Sequence, residues 1–303
     1  MRSNSLCLVL WCCIASALAA QTHQANNSVL LPVFDPPAAP LAEQTYTVLL
    51  QEQGPNARYQ AAEQALNHCE EPKAEFCAKL YNLLAEEAYL ANSYEQSKYY
   101  YNKTLTTTFE KDYYKEGLLA SQMRLNALIG LRNIAINEGQ YDTALVWHSQ
   151  YVDSLQDYMG AEAERYQQDI DQVYAVCYQK LGESEKAIDH LMPHAFGSPS
   201  GAFELTLNKA MVDALADLLR TKYPKKAYKK ELQHLATAIH SEEKNGHLQF
   251  YLQIFENKIY FRNDSANYSY RVANNPQLHG QAIAHYQRKL LNSYFYQSLM
   301  RQY

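Results

Sequence analysis

The chain has 303 residues, with 27 Lys and Arg against 32 Asp and Glu and a formal net charge of −5. So mild an acidic excess excludes a dominant nucleic-acid surface, which needs clustered positive charge. Ten glycines leave the chain poorly supplied for phosphate or dinucleotide loops, and no motif of either kind occurs.

The N-terminus reads MRSNSLCLVLWCCIASALAAQ. One arginine precedes an apolar run that ends in the small-residue pattern Ala17-Leu18-Ala19. Residues 1–19 therefore have the layout of a cleavable secretory signal, with a retained N-terminal anchor as the alternative reading. No later segment resembles a membrane span. The expected location is periplasmic or secreted, with membrane association only if the leader is kept. Residues 20–43 carry Pro32, Pro36, Pro37 and Pro40 and read as an extended, flexible tether.

Excluding the leader reduces six cysteines to three: Cys69, Cys77 and Cys177. In an oxidising compartment Cys69 and Cys77, in CEEPKAEFC, can close a short loop around Pro72 and staple two helices across their turn. Cys177 lies on an apolar stripe and reads as a small buried hydrophobe. N-x-S/T sequons stand at Asn26, Asn102, Asn263 and Asn267.

After Leu41 the composition shifts to Ala, Leu, Glu, Gln and Tyr, and alternating strand patterns are almost absent. The chain is expected to be all-α. Leu80, Leu83, Leu84 and Ala88 recur at helical spacing, as do Leu125, Leu128, Leu131 and Ile134 in the next run. Gly139 ends that run, and Tyr141 to Tyr158 returns with Ala144, Trp147, Tyr151 and Leu155 on one face. Asp169 to Lys180 begins another hairpin, Gly182 turns it, and Glu185 to Met192 returns. HAFGSPSGAFE (194–204) marks an internal break, separating a 44–196 helical region from a C-terminal region, 203–303. Beyond it, Met211, Leu215 and Leu218 or Leu219 form an apolar stripe. Helices are also expected over 228–241, 247–261 and 280–300. The basic run KYPKKAYKK (222–230) reads as a solvated linker and helix start, or as contact for anionic lipid or an acidic partner.

Three segments superimpose when their turns are matched: 80–105, 128–152 and 173–195. A small residue follows each turn, at Ser97, Ala144 and Ala187. A larger one comes four positions later, at Tyr101, His148 and Leu191. Small side chains let paired helices cross closely, and the larger residue fills the space beyond. The turns recur after 47 and 43 residues, longer than the repeat of about 34 of the simplest helix–turn–helix array.

At Leu131, Gly139, Tyr141 and Ala144, and again at Tyr174, Tyr178, Gly182 and Ala187, the sequence resembles the tetratricopeptide-repeat family. The first copy has Asn92 and Ser97 where Gly and Ala are usual. The resemblance covers about residues 78–196 and implies antiparallel hairpins stacked as a solenoid. Another antiparallel helical array and a non-repeat bundle remain as alternatives. It also implies protein or peptide binding on the face formed by the first helix of each pair. Carried over by position, that face holds Asn82, Glu86 and Tyr89, then Asn126, Ile129, Asn133 and Asn137. The third copy contributes Asp169, Gln172, Val176, Gln179 and Lys180. Amides can donate to and accept from an extended backbone. The alternative reading is that these amides only solvate an open surface. The 26 tyrosines either fill interhelical seams or make an aromatic contact surface.

No constellation supports catalysis, and no cofactor or metal site is expected. His190 and His194 are four apart, but Pro193 interrupts the helix between them, and Leu191 stands where a zinc motif needs glutamate. His148 reads as a packed or hydrogen-bonded histidine. GSPSG (197–201) has proline where a nucleophile elbow needs serine. The expected function is noncovalent, as an exported scaffold or adaptor. A sensory input domain and a cell-envelope enzyme acting on carbohydrate or cell-wall substrate stay open.

Overall fold

The computed structural model describes residues 55–67, 75–107, 117–196, 202–244, 247–261 and 275–301. The leader, the tether, Cys69, the GSPSG stretch and the sequons at Asn26, Asn263 and Asn267 lie outside the described residues. The chain divides into two compact units, 1–127 and 128–303. The first contains α1 (Pro55–Leu66), α2 (Glu75–Leu90) and α3 (Tyr94–Thr106), each packed on the next. Helix α4 (Gly117–Asn137) contains the unit boundary.

The second unit continues with α5 (Tyr141–Met159), a 3-10 segment (Gly160–Tyr166), α6 (Gln167–Lys180) and α7 (Ser184–Leu191). Helices α8 (Ala202–Lys222) and α9 (Lys225–His234) follow. Three strands come next: β1 (Ile239–Lys244), β2 (His247–Ile254) and β3 (Asn257–Tyr260). The chain then forms α10 (Pro276–Leu291) and α11 (Tyr294–Arg301).

The turns of α2/α3, α4/α5 and α6/α7 share one conformation. Asn92, Gly139 and Gly182 take φ of 58°, 74° and 79°. The residue after each is Ser93, Gln140 or Glu183, with φ between −86° and −89° and ψ of 64° or 65°. Its N–H donates to the carbonyl five residues back, at Ala88, Ala135 or Tyr178. The left-handed residue donates to the carbonyl three back, at Tyr89, Ile136 or Gln179. This double closure is the Schellman helix end, which glycine satisfies without strain and asparagine tolerates.

Ser97, Ala144 and Ala187 are each fully buried at the crossing that follows. In the first hairpin the Ser97 hydroxyl donates to the Ala85 carbonyl across the pair, 2.7 Å, so its extra oxygen is satisfied rather than stranded. The larger residues four positions later, Tyr101, His148 and Leu191, are also buried. Helix α5 packs on α6, with Ala135, Ala144 and Cys177 at the centre of a small core.

The expectation of an all-α fold is corrected over 239–260, where the chain forms an antiparallel sheet in the order β1-β2-β3. The expected helices over 228–241 and 247–261 give way to α9 and these strands. Phe250, Leu252 and Ile254 alternate with Gln249, Tyr251 and Gln253, a period of two that a helix would spread around its circumference. Lys244 pairs with His247, leaving Asn245-Gly246 as the link, a strong tight-hairpin signal. Ile239, Leu252 and Ile259 form one cross-strand row, all buried.

The inner face of the sheet packs on α10, with Phe250 and Phe261 each 4.8 Å from the Tyr286 ring. Phe196, just past α7, stacks on Phe261 at 4.2 Å and meets Phe295 edge-on at 5.6 Å. That contact fuses the third hairpin to the sheet in one core. The β2–β3 turn holds Phe255 at φ 52°, a costly conformation for a bulky side chain. Its ring stacks on Tyr223 at 3.6 Å, and its N–H donates to Glu231, 2.6 Å. The helix expected over 280–300 is two, because Ser293 interrupts it: its hydroxyl donates to the Leu290 carbonyl and accepts from the Tyr296 N–H.

A Cβ added at Gly139 or Gly182 meets nothing within 4 Å, so the effect of Ala there comes from backbone strain alone. Gly139→Ala and Gly182→Ala should each destabilise their hairpin by about 1 kcal/mol, read as a lower urea midpoint. Asn92→Gly should be neutral or slightly stabilising at the equivalent position.

Candidate functional site

The residues assigned to a binding face fall into two sets. In the first unit Asn82, Glu86 and Tyr89 follow one another along one face of α2, three or four residues apart. Asn82 is buried, with Nδ2 donating to the Met123 carbonyl at 3.0 Å. It belongs to the helix seam rather than to an open surface, a correction to its expected place. Glu86 is exposed and Tyr89 half-buried. Asn126 lies half-buried on α4, three residues after Met123.

Glu87, beside Glu86, turns inward and is buried. Its carboxylate pairs with the Arg58 Nε of α1 at 2.8 Å. Protein crowded around the Glu86 carboxyl, together with the charge of Glu87, lifts it to about 7, against a smaller opposing pull from Arg58. Tyr101 of α3 lies buried close by, and burial, then the charges of Glu86 and Tyr89, holds its hydroxyl un-ionised. Tyr89 and Tyr94 set their rings 5.8 Å apart.

In the second unit Asn133 and Asn137 lie on α4, one half-buried and one exposed. Gln172 and Gln179 are half-buried on α6, and Lys180 is exposed at its end. Asn133 is not free to recruit a ligand by its oxygen alone. Its Oδ1 accepts from Arg132 Nε and Nη2 at 3.1 and 2.9 Å. Arg132 is buried and sits over the Tyr151 ring at 5.7 Å.

Beneath this face is a polar knot. His148 is fully buried and its Nε2 lies 3.0 Å from the Ile170 carbonyl. A carbonyl only accepts, so the proton sits on Nε2, leaving Nδ1 to face Arg132 Nη1 at 3.4 Å. Burial and the Arg132 charge hold the imidazole down to about 3, so His148 is a neutral, structural residue. Asp171 on α6 is buried and accepts from His190 Nδ1 and His194 Nε2, both at 2.8 Å. Gln167 donates to it at 3.1 Å. Burial pushes the Asp171 carboxyl up, but the bonds from His190, His194 and Gln167 outweigh it and hold the group at about 2.

The 3-10 segment Met192–His194, which contains Pro193, carries His194 inward to this carboxylate, so the two histidines share an acid. Among the described residues no group of three or more His, Cys, Asp or Glu is placed to hold a metal ion. His190 stacks on Tyr174 at 4.6 Å, and no nucleophile hydrogen-bonds to it among the described residues. Asp171 was missed from sequence because an aspartate in DIDQVYAV looks like an ordinary helix-surface residue. Its one signal is the pair of downstream histidines in reach of an apolar stripe. Cys77 is disulfide-bonded, and Cys177 is free and buried; Cys69 lies outside the described residues. No helix among the described residues is long and apolar enough to cross a membrane.

No family model, curated protein or solved structure matches the chain.

Because Asp171 ionises more readily folded than unfolded, it adds stability above the ordinary carboxylate range and loses it as pH falls from about 4 through about 2. Asp171→Ala removes the buried acceptor that His190 and His194 share and should cost about 3 kcal/mol at neutral pH. The urea midpoint of the parent chain should fall more steeply from pH 5 to pH 2 than that of Asp171→Asn.

Proposed function

We propose that the chain is an exported helical-repeat protein that works by noncovalent binding of a protein or peptide, as a scaffold or adaptor of tetratricopeptide-repeat type. The observation that carries this reading is the recurrence of one hairpin turn at Asn92, Gly139 and Gly182, each followed by a fully buried small residue. A unit repeated with the same closure and the same close crossing supports stacking of pairs, which leaves the first helices α2, α4 and α6 to present polar side chains outward. The apolar leader with its small-residue cleavage pattern supports export. A disulfide at Cys77 supports an oxidising compartment.

The first unit offers Tyr89 as a contact residue, and the second offers Asn137, Gln172, Gln179 and Lys180, with Asn133 held in place by Arg132. Tyrosine adds contact area with few rotatable bonds, and the amides match the donors and acceptors of an extended backbone. The reaction implied is association alone, with no bond made or broken.

The triple variant Tyr89→Ala, Asn133→Ala, Asn137→Ala should lose on the order of tenfold or more in partner affinity. Affinity purification from the native compartment, followed by titration of the recovered partner, measures this. Equal recovery of the same partner by parent and variant refutes the assigned face.

A further inference from the structure

Two polar groups of the first unit are left without hydrogen-bond partners among the described residues. Among the described residues Glu86 has no ion pair and no hydrogen bond. Arg58, the nearest cation on α1, is committed to Glu87 instead. Tyr101 is only 4% exposed, yet among the described residues its hydroxyl has no hydrogen-bond partner. Glu86 and Tyr89 lie close enough for their charge to oppose its ionisation.

We propose that this face of α2 and α3 receives an arginine side chain presented by the partner peptide, with the guanidinium bound to Glu86 and Tyr101 and lying against the Tyr89–Tyr94 ring pair. The proposal rests on the binding reading above and names the chemistry of one contact within it. The unpaired groups are acceptors, and a guanidinium brings five donors and no acceptor. Its planar fork matches a carboxylate and its face stacks on tyrosine, which an ammonium does less well. Exposure of Glu86 favours a side chain carried on a larger molecule over a small free amine, which needs an enclosed pocket to lose enough surface to water.

The test uses the full chain with its disulfide intact and four probes: blocked tripeptides with central arginine, lysine or citrulline, and free arginine amide. Carboxyl and tyrosine-ring NMR signals report where each binds. The expected result is saturable change at Glu86, Tyr89 and Tyr101 with the arginine peptide, weaker binding of lysine, and none with citrulline. Glu86→Gln should weaken the arginine peptide on the order of tenfold with an unchanged circular dichroism spectrum. Tyr101→Phe, which keeps the ring, should weaken it less.

Equal binding of the citrulline peptide, or an unaltered affinity in Glu86→Gln, overturns the proposal. Free arginine amide binding as tightly as the peptide overturns the assignment to a peptide-borne side chain. Changes spread without saturation over acidic residues such as Glu162 and Glu185 mark nonspecific attraction and also overturn it. If these arms fail while the Tyr89, Asn133 and Asn137 variant still loses its partner, the wider binding face stands and only the arginine contact falls. If the arginine peptide binds through Glu86 while that variant keeps its partner, the contact stands and the wider face falls.

Discussion

The close crossing of helices at Ser97, Ala144 and Ala187 is the constraint on which the hairpins depend. Each crossing is reached through a left-handed residue and a successor with φ between −86° and −89° and ψ of 64° or 65°, two backbone settings that fix how the second helix leaves the first. Once that angle is set, the residue four positions after the turn residue's successor faces the partner helix at short range, and only a small side chain fits. Serine serves in the first hairpin because its hydroxyl donates a hydrogen bond to the Ala85 carbonyl. With the crossing fixed, the position one turn further on must fill a larger gap, and Tyr101, His148 and Leu191 do so with different chemistry. Tyrosine, histidine and leucine are interchangeable there as volume. They differ in what they leave to be satisfied.

That difference organises the polar interior. His148 carries its donor to the Ile170 carbonyl and its acceptor toward Arg132, so the second hairpin is tied to the first helix of the third. Asp171 then gathers His190 and His194, closing the third hairpin on itself. These groups resemble catalytic chemistry in composition, but their hydrogen bonds are spent on one another. Tyr101 offers the contrast: it occupies the equivalent position, yet among the described residues its hydroxyl has no hydrogen-bond partner. Buried polar groups that are fully paired hold an architecture together, and a polar group without a protein partner is available to a ligand.

The C-terminal part of the second unit solves a different problem. Its helices α8, α10 and α11 share a core with a three-stranded sheet, and Phe196 joins that core to the end of α7. Asp213 on α8 accepts from Tyr294, Ser298 and Arg301 of α11, fixing the last helix against the first of this region. On the solvent side of the sheet, Glu242 accepts from Tyr260 at 2.6 Å and pairs with Lys258, so that face is covered by its own cross-strand contacts.

The sequence alone determined the hairpins, because their signals are local: a stop at Gly139 or Gly182, a small residue after the turn, and apolar positions at helical spacing. It determined the buried stripe of α8 for the same reason. It also contained the sheet, in the alternation around Phe250 and the Asn245-Gly246 link, but a helical composition on either side masked a period of two spread over few residues. What only the tertiary structure decided are pairings between positions far apart in the chain. Asn82 and Glu86 read alike on one helix face, yet the Met123 carbonyl draws Asn82 into a seam while Glu86 stays open to solvent. Asp171 became the anchor of two histidines only because α7 ends in a 3-10 turn that carries His194 inward. Helical periodicity states which side of an element is apolar; which polar group on the other side finds a partner depends on what a distant segment brings to meet it.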